Sequence, residues 1–71
     1  LLLREVIGRH LRAQREPQKR SLRDVSASAR VSLGYMSEIE RGLRDVPLTT
    51  LSRIAQAGLD ARLDIRYGNA D

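Results

Sequence analysis

The chain has 71 residues, enough for one domain at most, and a fold of this size buries a modest share of its surface. It has no cysteine, tryptophan or phenylalanine, which excludes a disulfide framework and a Cys-ligated zinc site. Thirteen basic residues against nine acids give +4, placed unevenly: residues 1–44 carry 10 basic and 5 acidic groups, residues 45–71 carry 3 and 4. A basic front half suits a polyanion, although an Arg-rich composition alone accounts for it equally well. No apolar run approaches the ~18 residues of a membrane span. Leu1-Leu2-Leu3 is too short for a signal-peptide core. The chain opens on Leu, so it is read as a trimmed protein or as one domain of a longer one. The absence of cysteine fits a cytoplasmic location.

Leu3, Ile7 and Leu11 recur at i, i+4 and i+8, which predicts a helix from Leu2 to about Glu16. Gly8 inside it costs about 1 kcal/mol and is explained if another helix approaches closely. Pro17 ends this helix, and Gln18-Lys19-Arg20 is a polar connection. Ser21 is an N-cap, with Asp24 three residues on, and Leu22, Val25 and Ala29 form the apolar stripe of a short second helix. Arg30-Val31 is a tight connection. Ser32 caps a third helix, Leu33 to Arg41, with Met36 and Ile39 inward and Gly42 as its stop. Two short helices joined by about three residues make a helix-turn-helix. Pro47 stands at the first position of a fourth helix, whose inward residues are Leu48, Leu51, Ile54 and Ala55 and which ends near Gly58. Ala61, Leu63, Ile65 and Tyr67 then alternate with Arg62, Asp64 and Arg66, which predicts a strand in need of a partner.

The stretch from Ser21 to Gly42, ending Ile39-Glu40-Arg41-Gly42, resembles the lambda-repressor/Cro-like, or XRE, family of bacterial DNA-binding domains. Ile7 to Arg12 is similar to the family's opening helix, so the likeness runs over residues 5–56. It implies an all-α fold of four to five helices over residues 1–58, with residues 59–71 as a strand-bearing tail. Ala29 to Glu38 is similar to actinobacterial regulators of Clp protease genes. Leu48-Thr49-Thr50-Leu51 and the alternating tail look more like HipB- and HigA-type antitoxins, whose C-terminal strand pairs across a dimer. Two features depart from the family pattern. Arg30 stands where the turn usually has a Gly at positive φ, so either Arg30 is strained or the turn is reshaped. Leu33 and Gly34 stand where a Gln is common, which argues against amide-type reading of adenine.

The implied function is sequence-specific binding of double-stranded DNA by a transcriptional regulator. A recognition helix enters the major groove and reads base edges near its N-terminus. Ser32, Leu33, Gly34, Ser37 and Glu38 are the candidate readers: Glu38 can accept from cytosine N4, Leu33 can meet a thymine methyl, and Gly34 lets the backbone come close. A partly buried Leu33 and a merely solvated Glu38 are the plain alternatives. Arg20, Ser21, Arg23, Tyr35, Arg41 and Arg44 are candidate phosphate contacts, which position without reading sequence.

The resemblance also implies a partly buried structural pair between Arg15 and Glu40. A lone His10 makes no metal site, and none of the serines has a His or Lys spaced to activate it, so neither enzymatic activity nor a cofactor is expected. The expected assembly is a homodimer on a palindromic operator, paired through Arg62, Leu63, Asp64, Ile65 and Tyr67. A register centred on Leu63 or Ile65 avoids like charges face to face. The alternatives are that the strand folds back on its own domain or contacts another protein. An antitoxin that binds both operator and toxin is the second functional reading.

Overall fold

The computed structural model describes residues 2–63, with side chains to residue 60. In chain order the elements are α1 (Leu3–Arg15), a 3-10 turn (Glu16–Gln18), α2 (Leu22–Ala29), α3 (Leu33–Glu40) and α4 (Leu48–Leu63). α1 packs on α3 and α2 on α4, while α2 also meets α3 across the turn. Leu11, Val25, Ala29, Met36, Ile39, Ile54 and Ala57 form the buried core, one or two residues from each helix. Ile7, Leu22, Val31, Tyr35, Val46 and Leu51 close around it.

Local chemistry sets the boundaries. Ser21 and Asp24 cap α2 reciprocally: the Ser21 Oγ accepts from the Asp24 N–H at 3.0 Å, and the Asp24 carboxylate accepts from the Ser21 N–H at 3.1 Å. The Ser32 Oγ accepts from the Tyr35 N–H at 3.1 Å and starts α3. α3 ends in a Schellman turn, where the Gly42 N–H reaches the Ile39 carbonyl at 3.0 Å and the Leu43 N–H the Glu38 carbonyl at 2.9 Å. Gly42 has φ +76°, and a Cβ there would meet the Glu5 Cα at 3.0 Å. α2 ends by the same device, with Val31 N–H on the Ser26 carbonyl at 2.9 Å. Its left-handed residue is Arg30, at φ 61° and ψ 44°. The turn keeps the geometry that glycine favours, and Arg30 bears the Cβ cost of about 1–2 kcal/mol.

Gly8 is where α1 and α3 touch. A Cβ on Gly8 would overlap the Ile39 carbonyl oxygen and stand 2.9 Å from that of Glu40. This close approach is what the glycine permits.

The C-terminal part departs from expectation. α4 does not stop at Gly58 but continues to Leu63, so Arg62 and Leu63 are helical and the expected strand does not begin at Ala61. The reason is cooperative: extending a formed helix needs one more hydrogen bond per residue, Ala, Arg and Leu are strong helix formers, and one interior glycine costs only about 1 kcal/mol. Gln56 also bonds Asp60 one turn on, at 2.9 Å. A dimer register centred on a strand residue Leu63 is therefore withdrawn. Asp64, Ile65 and Tyr67 lie outside the described residues. Ala55 and Leu48, expected inward, are exposed, and Thr50 and Ala57 are buried instead. No helix among the described residues is long and apolar enough to cross a membrane.

Candidate nucleic-acid interface

α3 divides into two faces. Met36 and Ile39 are fully buried. Gly34, Ser37, Glu38 and Arg41, spaced at three and four residues, share the opposite face, with Leu33 beside them at 39% exposure. Gly34 has no heavy atom within 4 Å of an added Cβ, so this glycine meets no packing demand. Ser37 and Glu38 are half-buried and Arg41 is exposed. The five candidate readers thus lie together at the start and along the outward side of one short helix.

The candidate phosphate contacts are less uniform. Ser21 and Arg23 are exposed at the N-terminal end of α2, next to a helix start that favours an anion. The Asp24 carboxylate already sits there. Hydrogen bonds from the Ser21 backbone and then its hydroxyl hold this carboxyl below its ordinary pKa. Tyr35 is half-buried against the core.

Arg20 is turned away to α4: it donates to the Ala57 carbonyl at 3.2 Å and to the Ser28 hydroxyl at 2.8 Å. Its guanidinium is already engaged in joining α2 to α4. Arg44 is turned onto Glu38, with its Nε 2.8 Å from Glu38 Oε1.

Arg15 and Glu40 meet in a two-pronged pair, Nε to Oε2 at 2.8 Å and Nη2 to Oε1 at 2.9 Å. The Arg15 Nη1 also donates to the Arg20 carbonyl at 2.9 Å. The side chains are 18% and 6% exposed, so the pair lies inside the α1–α3 seam. Hydrogen bonding to Glu40, against the opposing effect of burial, pushes the Arg15 pKa further up, so the guanidinium stays charged. Glu40 is thereby committed to the seam and Glu38, two residues earlier, to the outward face.

A further contact of this scaffold, beyond those of Arg20 and Arg44, has no signal in the sequence. Arg53 of α4 donates its Nε to the Ala29 carbonyl at 3.1 Å, capping the end of α2. Nothing in the spacing of Arg53 marks it, because the contact spans 24 residues.

A family model described as a helix-turn-helix domain matches residues 6–63. The transcriptional regulator ClgR of Mycobacterium tuberculosis is 57% identical over 56 residues, which is 79% of this chain and 50% of that protein. An uncharacterised HTH-type transcriptional regulator of the same organism is 43% identical over 50 residues, 70% of this chain and 36% of its own length. The chain thus spans about half the length, or less, of the curated relatives it matches. The crystal structure of the clp gene regulator ClgR from Corynebacterium glutamicum superposes with a TM-score of 0.80 at 34% identity, covering 99% of this chain and 95% of that one. The antitoxin reading draws on Leu48-Thr49-Thr50-Leu51 and the tail strand together. With residues 61–63 helical and the relatives being regulators, it has no support.

Proposed function

The chain belongs to the helix-turn-helix domain family, and on that premise we propose that it is a sequence-specific double-stranded DNA-binding transcriptional regulator acting in the cytoplasm. The outward face of α3 carries this reading. It holds Ser32, Leu33, Gly34, Ser37 and Glu38 at the end of the helix that would enter the major groove, and the core does not use that face. Ser21, Arg23, Tyr35 and Arg41 flank it as phosphate contacts, while Arg20 drops out because α2 and α4 already engage its guanidinium. The likeness to proteins described as clp gene regulators favours a regulator of that kind.

Two copies on a palindromic operator fit the reading, because a single short helix reads only one half-site and half-sites recur about 34 Å apart. The test is selection of bound duplexes from a random pool, followed by a salt titration on the winner. The expected result is a two-fold symmetric motif with affinity that falls steeply with salt. Recovery of no common sequence would contradict the proposal.

A further inference from the structure

Glu38 is tied twice to the loop that follows α3. Its carbonyl accepts from the Leu43 N–H at 2.9 Å, and its carboxylate accepts from the Arg44 Nε at 2.8 Å. The six-residue spacing is not one that a helix face supplies; the reversal at Gly42 brings Arg44 back. Only Oε1 is engaged, and Oε2 accepts no hydrogen bond among the described residues. The side chains are 58% and 38% exposed, and exposed pairs contribute little to stability, so the contact is not what holds the fold. Its consequence is orientation and charge. A lone carboxylate on this face would swing freely and meet the phosphates' negative field. Paired, it is neutral as a unit, held in one direction, and still has an oxygen for an amine.

We propose that Arg44 is a positioning residue for base reading: it holds Glu38 so that the carboxylate accepts from a cytosine N4 amine in the major groove. This assigns Arg44 to specificity rather than to phosphate clamping, and it rests on the regulator reading above. The two roles give opposite signatures. Loss of a phosphate contact weakens all sequences alike and lowers the salt slope by about 1; loss of a base-reading element relaxes one position.

The experiment compares wild type, Arg44→Ala, Arg44→Lys, Glu38→Ala and the double variant on the wild-type-selected duplex and on its single-base-pair substitutions, each across a salt titration. Arg44→Ala is expected to flatten the preference at one C·G pair from about fivefold or more to near onefold, as Glu38→Ala does. The double variant should lose no further preference, and Arg44→Lys, which conserves the charge, should keep part of the preference with the wild-type salt slope. Thermal midpoints within about 5 °C of wild type show that the variants fold. Uniform loss on every duplex with a slope lower by about 1 overturns the inference and leaves the regulator reading standing. A wild-type protein that selects no motif overturns both.

Discussion

The seam between α1 and α3 and the outward face of α3 are built from the same parts and use them oppositely. Each has a helical glycine and an Arg–Glu pair. Gly8 has backbone oxygens where its Cβ would be, while Gly34 has nothing within 4 Å. Arg15–Glu40 is two-pronged and enclosed; Arg44–Glu38 is single and half open to water. One eight-residue helix supplies both glutamates, on either side of a buried Ile39. Residue type therefore says little about role in this molecule. The helix face a residue occupies decides whether the fold encloses it or leaves it open to water.

The two pairs differ most at Glu40. Removing it leaves the Arg15 charge uncompensated in the seam, and Glu40→Ala should cost about 3–4 kcal/mol in denaturant unfolding. An Arg15–Glu40 double-mutant cycle should show strong coupling, whereas the same cycle on Arg44–Glu38 should give less than about 1 kcal/mol. Next is Gly8→Ala. The added methyl must push α1 off α3, and even after the better helix propensity of alanine the net loss should be about 2–3 kcal/mol.

Arg30 sharpens the contrast from the other side, since there the backbone takes the left-handed region without a glycine. Arg30→Gly should stabilise the domain by about 1 kcal/mol, less the extra freedom glycine has when unfolded. A drop in thermal midpoint would mean that the Arg30 side chain matters to the turn.

The smallest effect is the cap. The Asp24 pKa is lower in the folded protein than in the unfolded chain. Its contribution is therefore complete above the unfolded value of about 4 and disappears as pH falls through the folded one. The difference in thermal midpoint between wild type and Asp24→Asn should be present near pH 6 and shrink towards pH 2. A difference that stays constant would remove this account of the cap.

The elements with local punctuation were legible in the sequence. Ser21 with Asp24, Ser32, and Gly42 each act within four residues, so the limits of α2 and α3 follow from local chemistry. The Arg15–Glu40 pair, 25 residues apart, was approachable only through the family resemblance. The end of α4 is not legible in the sequence, because an alternating run of Ala, Arg and Leu also suits a helix once one has formed, and Gly58 resembles a stop. Apolar spacing alone places Leu48 and Ala55 inward, although Thr50 and Ala57 take the buried positions. The partners of Arg20, Arg44 and Arg53 depend on how loops and helices return in space, which no spacing rule contains.

If the outward face of α3 is kept for recognition, changes there should spare the fold and weaken DNA binding. Gly34→Ala tests it most directly, with folding stability and affinity for the wild-type-selected duplex measured on the same sample. Stability should be unchanged or raised by up to about 1 kcal/mol, together with affinity lowered by about tenfold or more. Unchanged affinity, or a destabilised protein, would contradict it.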